Sequence, residues 1–486
     1  MRKTYKKILF IFLALVISFS SIGATVPYRS YTYDFWGREI PTPAAYLPAK
    51  SVGARDIDPE LGSFRAPEDL AVDANGHIYL LDTGNNRIVV FDVELNLIRV
   101  IDSFLRDGET EYFSNPNGVY VTHDFNIYVA DTGNNRIVAL YPDGSFMKEI
   151  NSPQGDGIDD GFIFMPLKVV VNRVDRIFVI ARNVFEGIMS FDADGTFFGY
   201  FGTIPVAFTP LDWFWRQIST REQRAQQRLF IPMEFSGMDI DDRGFIYTVN
   251  LPTSVGAHAD FVMRLNPSGN NVLVNFNQQR IAGDIAAPLI FNLPTSNFID
   301  IVERGSGMYT ALDNTRGRAF TYDQEGNLLY VIAGSGNVMG MNRQPVAIDI
   351  IENSLLILDR QRAEVVYFEE TEYGRLINEA VRLSYDGDEG AAVERWQRLL
   401  ELDENYSIAQ RGIGRALLAQ GDNREAMRYL RNSMDLRQYG VAFRRYRNEV
   451  LEENLRLFLT LLLLTVAAIS GRAIYKSIKG RGQTNE

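Results

Sequence analysis

The eight residues Asp82-Thr83-Gly84-Asn85-Asn86-Arg87-Ile88-Val89 recur unchanged from Asp131 to Val138, 49 residues further on. A chain that repeats itself at a period of roughly 40–50 residues is built from units that cannot bury their apolar faces alone and must stack. Weaker copies follow at Lys168–Gly195, at Gly237–Asn250 completed by Phe261–Gly269, at Phe298–Gly326 and at Val346–Phe368. The recurring aromatic or apolar position falls at Tyr79, Tyr128, Phe178, Tyr247, Tyr309 and Leu356. Each unit reads as short apolar runs separated by turns rich in Asp, Asn and Gly, such as IYLLD, RIVVFD and NLIRVIDSF. That is four short antiparallel strands per unit. Six copies of such a unit predict a mainly β, six-bladed propeller around a central channel.

The start Pro67-Glu68-Asp69-Leu70-Ala71-Val72-Asp73, the second strand Gly76-His77-Ile78-Tyr79-Leu80 and the DTGNNRIV run carry a resemblance to the NHL-repeat family of six-bladed β-propellers. The resemblance covers about residues 65–370, close in the first two units and degenerate in the last four; Ala181-Arg182-Asn183 stands where the third DTGNNR would be. It implies a ligand-binding top face, formed by the loops entering the inner strands and those joining second to third strands. On that face the resemblance places Asn86, Arg87, Asn135 and Arg136; Asp82 and Asp131 could bond turn amides and the arginines could pair with acids on neighbouring blades, or the Asn, Gly and Asp pattern is structural turn chemistry alone. The inner rim is expected at Glu68, Asn117, Lys168, Ser236, Asn297 and Val346. Some six-bladed relatives, lactone hydrolases and streptogramin lyases among them, hold Ca²⁺ or another divalent ion there. Glu68 and Asn117 could be oxygen ligands, but an ammonium at Lys168 and an alkyl group at Val346 do not suit a cation, so no metal or other cofactor is expected.

Propellers close by pairing the chain ends in one blade, and residues 25–64 are expected to supply the missing strand, through Tyr31–Ile40 (YTYDFWGREI). The gap from Phe178 to Tyr247 is wider than the others and holds LDWFWRQISTREQRAQQRLF, whose apolar positions share one helical face. This predicts a helical insertion at about 205–232 on the top face, with Trp213 and Trp215 offering aromatic planes to a sugar ring or a peptide side chain, or packing onto the rim.

Both ends read as membrane signals. Arg2, Lys3, Lys6 and Lys7 precede an apolar run from Ile8 to Ile17 and small residues up to Ala24. That is the layout of a secretory signal peptide over residues 1–24, or of an uncleaved N-terminal anchor. Near the other end Leu457 to Gly471 is free of charge, which predicts a transmembrane helix over 455–475. Lys476, Lys479 and Arg481 follow it, and Glu449, Glu452 and Glu453 precede it. The basic side marks the cytoplasm, so 476–486 is expected inside and the bulk of the chain outside.

Between propeller and anchor the pattern turns helical. Asp388 and Asp422, Ala392 and Ala426, and Leu402 and Leu436 are each 34 residues apart. Gly412, Ala416, Gly421, Ala426 and Tyr429 give this stretch a resemblance to tetratricopeptide (TPR) repeats over 374–454. The resemblance implies docking of a protein or peptide partner; a structural stalk is the alternative.

Composition narrows the chemistry. The formal charge of −12 disfavours nucleic acid as a partner. The absence of cysteine removes disulfides, thiolate metal sites and cysteine nucleophiles. Only His77, His123 and His258 could serve a histidine-based centre, and they fall in turns and loops. No phosphate-binding loop, GxSxG or HExxH is present. The expectation is a bacterial, membrane-anchored extracytoplasmic binding or scaffold protein for a glycan or peptide. A divalent-metal hydrolase or lyase resembling the gluconolactonase-like propellers is the alternative.

Overall fold

The structure, a computed structural model, describes residues 26–153, 158, 161–202, 234–251, 261–273, 283–284 and 296–481. The chain divides into two compact units, Met1–Tyr385 and Asp386–Glu486.

The first unit is a six-bladed propeller. Blade 1 pairs Asp69–Val72, Ile78–Asp82, Arg87–Phe91 and Leu97–Ile101 antiparallel in chain order. Its first turn shows why the sequence folds this way. Asp73 Oδ1 accepts the amides of Asn75 and His77 at 2.8 and 2.9 Å. Gly76 then turns the chain at φ 81°, open to glycine because it has no Cβ. Blades 2, 3 and 5 repeat the order from inner strands Gly118–Val121, Pro166–Val171 and Phe298–Glu303. Blade 4, from Glu234–Ile240, has three strands among the described residues. Each inner strand packs on the next, and that of blade 6, Pro345–Ile351, packs on blade 1.

Blade 6 is closed by the N-terminal segment, but not by the part expected. Its fourth strand is Tyr46–Val52, paired with Glu364–Glu370. Tyr31–Tyr33 and Glu39–Pro41 instead form their own hairpin. That hairpin lies on blade 5, where Ser30 and Thr32 donate to the carbonyls of Val331 and Leu328. The aromatic residues of YTYDFWGREI thus serve an added hairpin: Tyr31 is buried and Trp36 is exposed at the turn. The expected N-terminal signal segment 1–24 and the helical insertion at 205–232 lie outside the described residues.

The apolar core is divided into wedges between blades. On the second strand of blade 1, Leu80 packs with Leu356 and Leu358 of blade 6, while Leu81 packs with Val129 and Val138 of blade 2. The alternation of side chains along a strand makes each blade face both neighbours. The recurring aromatic or apolar position holds in five blades, Leu356 of blade 6 included, but in blade 5 pairing places Thr310 there and Tyr309 beside it. An extra hairpin, Ser103–Arg106 with Glu109–Tyr112, precedes blade 2. A helix, α1 (Glu372–Asp386), follows the last propeller strand; Tyr330 of blade 5 donates to Asn378 on it at 2.8 Å.

The second unit holds α2 (Glu389–Leu402), α3 (Ser407–Gln420), α4 (Asn423–Asn432) and α5 (Leu436–Arg481). The 34-residue repeat surfaces as matched caps: Asp388 accepts the amide of Ala391, and Asp422 that of Glu425. Gly412 faces the Trp396 indole and Gly414 faces Leu430 so closely that a Cβ would collide with either, so the helices meet at small residues. Among the described residues α5 is the one helix long and apolar enough to cross a membrane. Its side chains from Leu457 to Tyr475 stand exposed.

Candidate functional site

The register of the inner strands fixes what faces the axis. Asp69, Gly118, Lys168, Gly237, Asp300 and Ala347 pair with Leu81, Ala130, Ile180, Val249, Leu312 and Leu358 and so share one level. Charged residues on blades 1, 3 and 5 alternate with small ones on blades 2, 4 and 6. The small ones are needed: a Cβ on Gly237 would lie 2.6 Å from Asp300 Cα, and one on Gly118 would strike the backbone of Leu167. Two residues along, Ala71, Tyr120, Val170, Asp239, Val302 and Asp349 form the next level. These residues line an axial cavity of about 50 Å³, room for a few waters.

The axis is crossed by an ion triad. Lys168 Nζ lies 2.6 Å from Asp69 Oδ1 and 3.3 Å from Asp300 Oδ1. The other carboxylate oxygens tie blades together. Asp69 Oδ2 accepts the amide of Val119 at 2.9 Å, Asp300 that of Ile348 at 3.0 Å, Asp239 that of Glu303 at 2.7 Å and Asp349 that of Val72 at 2.8 Å. Each bond runs from one blade to the next, and Tyr120 continues the set by donating to the carbonyl of Val171 at 3.3 Å.

Burial shapes the protonation of this set. Burial opposes the charge on Lys168, but Asp300 and Asp69 overcome it and raise its pKa. Burial lifts Asp300 to about 6, opposed by Lys168 and helped by Asp69. Burial lifts Asp239 to about 6, opposed by the amides it accepts and helped by Asp241. Glu303, buried beside Asp239, rises to about 7.

The residues expected on the rim take other places. Glu68, Asn117, Lys168, Ser236, Asn297 and Val346 do not share a level, because bulges shift the register at Pro166/Lys168, Phe235/Gly237, Phe298/Asp300 and Pro345/Ala347. Only Lys168 reaches the axis level. Glu68 is ion-paired to Arg360 of blade 6. Asn117 donates its side-chain amide to the carbonyl of Asn115 at 3.1 Å. Among the described residues no group of three His, Asp or Glu is placed to hold a metal ion. His77 leans on Asp73 at 3.0 Å, and His123 is exposed. Trp213, Trp215 and His258 lie outside the described residues.

The DTGNNR loops are fastened from within. Asp82 is fully buried; it accepts the amide of Arg65 at 2.7 Å, Asn85 at 2.8 Å and Arg87 Nε at 2.8 Å. Asp131 does the same for Ser114, Asn134 and Arg136. The arginines were expected to reach acids on neighbouring blades, but both pair with the aspartate of their own loop. Arg136 adds Glu149 at 3.2 Å and Glu111 of the extra hairpin. Asp313 and Asp359 hold the amides of Asn297 and Arg343 in the same way. Asn86 and Asn135 take left-handed conformations at φ 51° and 55°. Asn86 Oδ1 accepts the amide of Asn115 at 2.7 Å, joining blade 1 to blade 2.

Sequence reasoning missed Asp69, Asp239, Asp300 and Asp349. The available signal was period-2 placement: an acid at the start of DLAV and DIVE, or two residues further along GMD and AID.

The fold and its DTGNNR loops define a six-bladed β-propeller carrying an NHL repeat, whose family model matches residues 64–91. Among solved structures the chain is similar to virginiamycin B lyase from Staphylococcus aureus. The identity is 10%, with 66% of this chain and 99% of that chain covered, and the TM-score is 0.41. It is similar to a gluconolactonase from Xanthomonas campestris at 12% identity, covering 68% and 97%, with a TM-score of 0.39. It is also similar to an extracellular domain from B. thetaiotaomicron at 11% identity, covering 71% and 38%, with a TM-score of 0.37. No curated protein matches the chain.

Proposed function

We propose that this is a membrane-anchored, extracytoplasmic binding or scaffold protein. Its propeller top takes a glycan or peptide, and α2–α4 act as TPR-like helices that dock a protein partner. The observation that carries this reading is the axial triad. Lys168 fills the centre of the channel between Asp69 and Asp300, and the carboxylates around it serve as ties between blades. The chemistry left for a ligand is on the loops outside the axis, where Asn85, Asn86, Asn134 and Asn135 stand exposed. Amide groups of this kind suit hydroxyls and peptide bonds, as both donors and acceptors.

The hydrolase or lyase alternative needs Glu68 and Asn117 as free oxygen ligands. The Arg360 pair on Glu68 competes with a cation for that carboxylate. The exposed apolar length of α5, with basic residues after it, supports a single span with the tail inside.

The test uses the full chain in detergent on glycan and peptide arrays. Asn86→Asp with Asn135→Asp keeps the left-handed conformations, which aspartate tolerates, while placing negative charge on the face. Loss of binding in that variant supports the reading; no ligand, or undiminished binding, counts against it. Elemental analysis before and after a chelator decides the alternative, since stoichiometric metal that raises Tm would replace this reading with the hydrolase or lyase.

A further inference from the structure

A second cavity, of about 170 Å³, lies at the other end of the propeller strands from the DTGNNR loops. Its wall comes from the first unit. Arg304 follows the inner strand of blade 5, Glu352 sits in the first turn of blade 6, and Asn378 and Arg382 project from α1.

Arg304 is the unusual member. Its guanidinium donates to Tyr330 Oη at 2.6 Å and Tyr46 Oη at 2.5 Å. Both partners are phenol hydroxyls, not carboxylates, and burial pushes Tyr46 further from ionising. Among the described residues no carboxylate lies within ion-pair distance of Arg304, whereas a cation taken out of water normally has one. Glu370, which also lines the cavity, is held instead by Asn378 at 2.5 Å.

The rest of the wall follows the same pattern. Arg375 and Glu379 satisfy each other at 2.9 Å. Arg382 and Glu352 are exposed and make no ion pair among the described residues. Arg304 and Arg382, and Glu352 and Glu370, thus line one small cavity with no ion-pair partner among the described residues. A phosphate would meet Glu352 and Glu370; a metal cation would meet Arg304 and Arg382. A neutral ligand with separated charges satisfies both signs.

We propose that this cavity binds a small zwitterion carrying a carboxylate and an ammonium, an α-amino acid being the simplest. The carboxylate meets Arg304, whose planar fork suits it. The ammonium faces Glu352 and Glu370, and Met308 and Ile350 give the side chain an apolar wall. The inference uses none of the top-face residues, so it stands or falls apart from the reading above.

The test is thermal unfolding of the full chain in detergent with each standard amino acid in large excess, followed by equilibrium dialysis of any that acts. At least one amino acid should raise Tm by a few degrees. Its N-acetyl and its amide derivatives, each lacking one charge, should not. Arg382→Gln and Glu352→Gln change exposed positions and should each weaken binding by about tenfold; Arg304→Lys should abolish it. The proposal is overturned if no amino acid shifts Tm, if the derivatives act as well as the parent, or if Arg382→Gln and Glu352→Gln bind as tightly as the unaltered chain.

Discussion

Lys168 Nζ and Asp69 Oδ1 stand 2.6 Å apart across the propeller axis, although 99 residues separate them. The contact joins blade 3 to blade 1, and Asp300 on blade 5 completes it at 3.3 Å. Removing the ammonium leaves two buried carboxylates facing each other with nothing between them. We expect Lys168→Met to cost about 3–5 kcal/mol, the range for breaking a buried pair from one side. Adding Asp69→Asn and Asp300→Asn should restore most of the loss, because an asparagine oxygen can still accept the amides of Val119 and Ile348. Urea denaturation of the single and triple variants decides it. A single variant within about 1 kcal/mol of the unaltered chain would show the triad to be dispensable.

How much of this was open to reading depends on the blade. Asp82 and Asp131 sit in identical octapeptides, so the first two blades and the turn chemistry of their loops could be read directly. In blades 3 to 6 the inner strands carry bulges just before the axis level. Ser236 and Val346 fall in such bulges, one residue short of Gly237 and Ala347, whereas blade 1 has no bulge and Glu68 is simply the residue before Asp69. The closing strand was missed for another reason. Tyr46–Val52 (YLPAKSV) contains a proline and a lysine and looks weak as a strand, while YTYDFWGREI is aromatic and looks strong. An edge strand tolerates both residues, and the aromatic segment found a separate place on blade 5.

The acids around the axis give the propeller an unusual pH response. Folded values of about 6 for Asp239 and Asp300 and about 7 for Glu303 lie above the ordinary range near 4. For groups raised on folding, the contribution to stability is complete below the unfolded value and is lost as pH rises through the folded one. Tm should therefore fall between about pH 4 and pH 7. Asp239→Asn and Glu303→Gln should flatten that slope. Asp34 and Glu149, whose pKa values are lowered, act in the opposite sense and only in the acid limb. A Tm that rises through this window would refute the assignment.

Gly84 and Gly133 lie in the DTGNNR loops where the backbone of the incoming loop crosses. A Cβ on Gly84 would sit 2.6 Å from the carbonyl oxygen of Arg65, and one on Gly133 2.5 Å from that of Ser114. Neither glycine has a positive φ, so the expected effect is steric alone. Gly84→Ala and Gly133→Ala should each cost about 1–3 kcal/mol in chemical denaturation. Gly390→Ala, in the first turn of α2 with only Asp388 within 4 Å at 3.7 Å, should be neutral or mildly stabilising.

Closure of blade 6 by Tyr46–Val52 separates two truncations. A chain starting at Pro43 keeps that strand and the bonds from Thr371 to the carbonyls of Ala44 and Ala45. It loses the hairpin on blade 5 and Tyr28, which donates to the carbonyl of Tyr46 and packs on Phe368. It should fold, with a lower Tm because Asp284 gives up its Tyr31 and Tyr33 donors. A chain starting at Gly53 exposes the edge of Glu364–Glu370 and opens the ring. It should aggregate or unfold without a cooperative transition. Similar melting of the two would mean that the ring does not depend on this strand.

The membrane arrangement can be tested without background, because the chain has no cysteine. Ser145→Cys puts a thiol on an exposed turn of blade 2, and Ser477→Cys puts one beyond the apolar stretch. A membrane-impermeant maleimide on intact cells should label Ser145→Cys, and should reach Ser477→Cys only after the membrane is opened. The charges argue for this orientation: Lys476, Lys479 and Arg481 follow the apolar stretch, and Glu449, Glu452 and Glu453 precede it. Leu463→Arg, near the centre of the stretch, should cost about 2.5–3.5 kcal/mol of insertion and move part of the protein out of the membrane fraction. Labelling of both thiols on intact cells, or of neither, would contradict a single span with the propeller outside. Full membrane retention of Leu463→Arg would mean that something other than α5 holds the protein there.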